Sequence, residues 1–225
     1  PLSLDREPQK GRIDGLAARN DRVHVLALHG EVQQGHSQCA DLAFREVSQR
    51  RDSLWTRLRI RWPGRAAPEA RLGELVQRLG RQLGLSDPAP TAPLQTQIEA
   101  LRERIRTRLD RGPLFVQHTI GKVRGEDDQL LEDYLNQLWR TDTALAWPCI
   151  LTIEMTHMEP GFLMTDSWRA ARRGRRHTAA VCARLSDMRS PYLRGRNIPE
   201  LTSVTRDQLR DWVEEHLEVE DPEEV

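Results

Sequence analysis

The stretch from Val23 to Arg50 constrains this chain more than any other. VHVLALH (23–29) is short, apolar and rich in β-formers, the pattern of a buried strand. GEVQQG (30–35) follows as a polar loop closed by a glycine at each end. From His36 to about Arg50, Cys39, Ala40, Ala43, Phe44 and Val47 recur at helical spacing. A buried strand feeding a helix through a short glycine loop is the opening of a layered α/β fold.

The rest of the chain repeats the alternation. RLRIRW (57–62) reads as a second strand, ended by Pro63 and Gly64. Leu72, Leu75, Val76, Leu79 and Leu83 mark a helix. SDPAPTAP (86–93) is a Pro-rich break. Ile98, Leu101, Ile105 and Leu109 lie on one face of a further helix, whose other positions are mostly charged, as on a surface helix. LFVQHTI (114–120) is a third strand, residues 127–140 a helix, and WPCILTIEM (147–155) a fourth strand whose long apolar run suits a central place. Residues 156–178 read as irregular, AAVCARL (179–185) as a fifth strand, and the stretch after it as a polar loop. Thr205 and Gln208 have capping-box spacing before a last helix carrying Leu209, Trp212, Val213 and Leu217. The expected fold is a three-layer α/β sandwich with a mostly parallel sheet of about five strands and right-handed crossovers.

Within that frame, GEVQQGHS (30–37) matches a phosphate-binding GxxxxGK(S/T) loop at every fixed position but one. The candidate phosphate-loop residues are Gly30, Gly35, His36 and Ser37. Glycines let backbone N–H groups wrap a phosphate, and a helix N-terminus favours the anion. His36 stands where a lysine would place a permanent charge on a long stem. Imidazole is shorter and mostly neutral at pH 7. Ser37 keeps the hydroxyl that would meet Mg²⁺. A hydrolase of this kind also needs an acidic pair at the end of a neighbouring strand. The third strand offers Gln117, His118 and Thr119 there. The fourth offers Glu154, a single acid at a different place in chain order. Both halves of a nucleotide-hydrolysing site are therefore degraded. The loop reads first as a plain strand-to-helix connection, then as a nucleotide site without turnover.

LSLDREPQ (2–9), VHVLALHGE, the loop closing at Gly35-His36, LFVQHTI and TSVTRDQLRDWVEEH (202–216) together resemble the inactive STAND domains, relatives of the STAND branch of P-loop NTPases. The resemblance runs along nearly the whole chain and rests on the order of its motifs. It implies a five-stranded core and a bacterial immunity, anti-phage or conflict-system setting. In such systems these domains accompany death-like adaptor domains and effectors such as proteases or TIR domains. The implied role is sensing or scaffolding. Active relatives carry Lys at the His36 position and acids near Gln117-His118, so the resemblance does not carry ATPase activity to this chain.

Charge adds one more candidate. The 225 residues hold 34 basic and 34 acidic side chains, but eight of the acids fall in residues 211–225, which have no Lys or Arg. Residues 1–210 therefore set 34 basic against 26 acidic side chains, a net +8. Arg169, Arg172, Arg173, Arg175 and Arg176 lie within eight residues. They are a candidate surface for an acidic partner or nucleic acid, or a source of the cation that His36 does not supply. The plainer reading is a solvated loop. Residues 1–218 read as one domain and 219–225 as an acidic tail or linker.

Three scattered cysteines (Cys39, Cys149, Cys182) suit a reducing cytoplasm rather than a disulfide scaffold. No apolar run approaches the roughly 18 residues of a membrane span. The seven histidines show no metal-site spacing, and no catalytic residue, metal or cofactor is expected. The expected partner is a protein or effector domain of the same system, with homo-oligomerisation open and no membrane.

Overall fold

A computed structural model describes residue 13 and residues 22–31, 36–49, 54–64, 67–85, 92–157 and 165–201. In chain order these form β1 (Val23–Glu31), α1 (His36–Gln49), β2 (Thr56–Arg61), α2 (Pro68–Gln82), α3 (Leu94–Arg111), β3 (Leu114–Lys122) and α4 (Asp127–Tyr134). A five-residue π turn (Leu135–Trp139), β4 (Cys149–His157), α5 (Thr165–Asp187), β5 (Arg189–Ser190) and β6 (Leu193–Asn197) follow.

The sheet runs β2-β3-β4-β1-β6-β5. β2, β3, β4, β1 and β6 are mutually parallel, and the two-residue β5 is antiparallel at the edge. The expected parallel α/β sheet is thus present. β4 inserts between β1 and β3, so β1 and β4 sit in the middle, and their near-continuous burial explains their unbroken apolar sequences. One face packs Val23, Val25, Leu58, Val116 and Leu151 against α2, α3, α4 and α5. The other packs Leu26, Leu28, Phe115 and Ile150 against α1. Two helical layers therefore enclose the sheet. No helix among the described residues is long and apolar enough to cross a membrane.

The C-terminal half corrects two expectations. Residues 179–185 are not a strand, and from Thr165 the expected irregular segment is helical; both belong to α5. Ala171, Gly174, Thr178, Val181, Cys182 and Leu185 are its buried positions, at the 3.6-residue period. Within AAVCARL alone the run looks uniformly apolar, yet Ala179, Ala180 and Ala183 face outward and supply helix propensity. The fifth parallel strand is β6, LRGRN, inside the expected polar loop. Its buried residues alternate, Leu193 and Gly195. Gly195 is there because the end of α5 lies directly on it: a Cβ would sit 1.7 Å from the Leu185 carbonyl oxygen. Helix 127–140 is found as α4 plus the π turn. The last helix over 205–217 and the acidic tail, with the boundary at 218, lie outside the described residues.

Candidate functional site

The strand and the helix stand where the sequence predicts them, with β1 running two residues further, to Glu31, and α1 beginning at His36. Gly35 lies outside the described residues, with 32–34. Gly30 still belongs to the sheet: it is in register with Thr156 of β4 and bridges to Leu201. A Cβ on Gly30 would fall 2.5 Å from the Leu201 carbonyl oxygen. A close backbone approach therefore requires a glycine here, with no phosphate involved. His36 is only 6% exposed, the reverse of a flexible cation projecting from a loop.

Ser37 starts the network that fills the site. Its Oγ donates to Glu154 Oε2 at 3.1 Å. Glu154 is 1% exposed at the loop end of β4. The Gln117 amide donates to Glu154 Oε1, and Thr119 Oγ1 lies 3.4 Å from Oε2. Burial pushes the Glu154 carboxyl above the ordinary range, against the opposing pull of these three donors; nearby Asp41 also raises it. The Gln117 amide is oriented from its other side, where Arg57 of β2 donates to Oε1 at 2.5 Å. Arg57 also pairs with Asp41 of α1 and lies over the Phe44 and Phe115 rings, at 4.9 and 5.8 Å. Asp41, Arg57, Gln117, Glu154 and Ser37 thus form one continuous chain across α1, β2, β3 and β4. Consecutive strand residues face opposite ways, so His118 joins the other layer. There its Nε2 meets the Tyr134 hydroxyl at 2.7 Å, and burial lowers its pKa to about 4.

These residues do not fit a hydrolytic Mg²⁺ site. Glu154 is the carboxylate to which Ser37 donates, both its oxygens receive protein donors, and Asp41 is held by Arg57 and Arg59. Among the described residues no group of three or more His, Cys, Asp or Glu side chains could hold a metal. The three cysteines are buried and none is in a disulfide. Burial pushes the Cys182 thiol up to about 12 and raises Cys149 further, which suits packing rather than nucleophilic chemistry.

The arginine run is helical, in α5. Arg175 pairs with Glu31, at the very start of the glycine loop, while Arg169, Arg172, Arg173 and Arg176 are exposed. Beside that pair, His157 Nε2 stands 3.0 Å from Glu200 Oε1, and burial lowers the His157 pKa against the pull of Glu200. The structure therefore brings one arginine of the five to the loop and leaves the other four on the surface. Arg57 and Asp41 are the functional residues that sequence reasoning missed. Their one signal is RLRIR, whose alternation puts Arg57 and Arg59 on a single face of β2.

The family model for inactive STAND domains matches residues 1–149. The curated proteins offer no match. Among solved structures, the Aeropyrum pernix ORC2 protein in its ADPNP and ADP complexes is similar at 14% identity and a TM-score of 0.48, covering 92% of this chain and 50% of that one. The Aeropyrum pernix ORC1 protein in complex with DNA is similar at 16% identity and a TM-score of 0.46, covering 94% and 48%. The chain spans about half the length of these structures, and they are distant likenesses; the fold rests on the strand order above. With the family model covering about two thirds of it, the chain belongs to the inactive STAND family.

Proposed function

We propose that this domain is a catalytically inactive recognition and scaffolding module of a cytoplasmic bacterial immunity or conflict-system protein, coupling the binding of a partner to the state of an associated effector. One observation carries the inactive part of this reading. The groups that would serve a nucleotide and its metal are engaged with one another, Ser37 and Gln117 on Glu154 and Arg57 on Gln117 and Asp41. The anti-phage setting and the partner coupling rest on the family resemblance. The decisive experiment is calorimetry with ATP, ADP and GTP, with and without Mg²⁺, on wild type and His36→Lys. Neither protein binds at micromolar affinity if the site is closed. Micromolar binding by wild type returns the domain to the class of regulatory nucleotide sensors.

A second reading has its own observation. Arg169, Arg172, Arg173 and Arg176 stand exposed on α5, at positions spanning two turns of one helix. A polyanion, either nucleic acid or an acidic partner segment, would meet such a face. Salt-dependent binding to single- or double-stranded nucleic acid, lost on replacing these arginines with glutamine, supports a nucleic-acid partner. Its absence removes that reading.

A further inference from the structure

The end of the sheet opposite the glycine loop holds a concavity. It opens beside Val23, the first residue of β1, whose nine residues separate it from the loop by roughly 26 Å. The cleft measures about 210 Å³. Its floor is apolar: Ile105 and Leu109 from α3, Leu138 and Trp139 from the π turn. Its rim is charged, with Arg102 and Asp110 from α3 and Arg140 and Asp142 from the segment after the π turn.

Three observations point to a ligand here. The rim charges are uncommitted: Arg102, Arg140, Asp110 and Asp142 make no ion pair and no side-chain hydrogen bond with the described residues, whereas Arg106 beside them is paired with Glu103 at 2.9 Å. The floor is built by a π turn, closed by the Arg140 N–H on the Leu135 carbonyl at 2.9 Å. Such turns are rare and concentrate at functional sites. Finally, buried apolar floor and charged rim are combined in one concavity, the composition of a small-molecule site.

We infer that this cleft binds a small zwitterion with an apolar body, of the size and charge pattern of a free hydrophobic amino acid. The volume admits about one large side chain, which the Ile105, Leu109 and Trp139 surfaces would cover. Unpaired charges of both signs on one rim match a ligand that carries both. The carboxylate suits the guanidinium fork of Arg102 or Arg140, and the ammonium suits Asp110 or Asp142. A nucleotide, with its several negative charges, would meet the two aspartates unfavourably. The cleft shares no lining residue with the Ser37–Glu154 network at the other end of the sheet.

The test uses the full chain labelled with ¹⁵N at its tryptophan indoles, with the Trp139 signal assigned through Trp139→Phe. L-phenylalanine, L-leucine and L-tryptophan are titrated. Phenethylamine and 3-phenylpropanoate serve as the single-charge analogues of phenylalanine. The expected result is a saturable shift of the Trp139 indole N–H with at least one amino acid. Each single-charge analogue should bind at least about tenfold more weakly, as should Arg140→Ala and Asp142→Ala. Both substitutions are at exposed positions, so the melting temperature should stay within about 2 °C of wild type. Three results overturn the inference. One is no saturable shift with any of the three amino acids up to ~10 mM, a millimolar limit that is already weak binding. Another is equal binding of an analogue carrying one charge. The third is affinity unchanged in both variants.

Discussion

Replacing Arg57 by methionine tests whether the closed site is held together by its internal cation. The change keeps the unbranched stem and removes the guanidinium. The hydrogen bond to Gln117 has a charged donor, worth about 1.5–3 kcal/mol. The ion pair with Asp41 is discounted to below about 1 kcal/mol, because the two side chains are 19% and 42% exposed. Stacking on Phe44 and Phe115 adds about 0.5–1 kcal/mol, of which the methionine sulfur returns a part. The loss is then about 2–4 kcal/mol. At about 2–4 °C per kcal/mol for a chain of this size, the melting temperature falls by about 4–16 °C. Urea unfolding at pH 7 reads the free energy directly. The sharper measurement is the cycle with Gln117→Leu. If Arg57 orients Gln117 toward Glu154, the two substitutions together cost less than their separate effects summed, by about 0.5–3 kcal/mol. A variant within about 0.5 kcal/mol of wild type, or strict additivity in the cycle, refutes the idea that Arg57 and Gln117 act as one unit.

Three further outcomes follow from the geometry. Gly195→Ala puts a Cβ 1.7 Å from the Leu185 carbonyl oxygen and should destabilise by at least about 3 kcal/mol or prevent folding, because α5 must lift off β6; Gly64→Ala, with nothing within 4 Å, should leave the melting temperature unchanged or slightly raised. Asp127→Ala strips the acceptor from the buried Arg71 guanidinium and from Trp62 Nε1 at 3.1 Å, and should cost about 3–5 kcal/mol by urea unfolding, against less than about 1 kcal/mol for the surface pair-breaker Asp128→Ala. Glu154→Gln tests burial of the carboxylate through pH: the folded state holds that proton more tightly than the unfolded chain, so the group's stability contribution is full below the unfolded value of about 4.3 and is lost as pH rises through the raised folded value. Melting curves between pH 4 and pH 7 should therefore show the glutamine variant gaining on wild type as pH rises, and a gap that is flat or shrinks would show that burial does not dominate.

The first four strands and the helices between them were legible because each carries its period within one short window. Val23–Leu28 and Ile150–Leu151 announce burial on both faces without reference to anything distant. The exchange of α5 for a strand came from a window that was too short. The buried positions from Ala171 to Leu185 declare a helix only when read together, and the intervening arginines looked like a loop. β6 was illegible for a different reason. A strand that buries only Leu193 and Gly195 has almost no apolar content, and its place in the sheet is set by β1 and the tail of α5, which no local pattern records. The site followed the same division. Ser37 and Glu154 were visible singly, 117 residues apart, but their hydrogen bond was not. Arg57 was one arginine among many until the sheet set it against Gln117, 60 residues away in sequence, and so one amide away in space from Glu154, the acid it serves.

That division bears on what a degenerate motif means. The sequence presents Gly30 and Ser37 as survivors of a phosphate loop, which invites the inference that a phosphate still binds. In the structure each has an employment that needs no ligand. Gly30 admits the Leu201 backbone to the edge of the loop, and Ser37 satisfies a buried carboxylate. A side chain on Gly30 would break the bridge to Leu201, and loss of the Ser37 hydroxyl would strand part of the charge on Glu154, so folding alone can hold both residues in place. The two positions that only a nucleotide would require hold other residues, His36 where a phosphate loop has lysine and Gln117 in the stretch where a hydrolase of this kind needs an acid. Such a domain keeps the sheet edge at Gly30 and Glu31, with Arg175 of α5 paired to Glu31 there. On the function proposed above, what it would offer a partner is shape and charge at that edge rather than a turnover cycle.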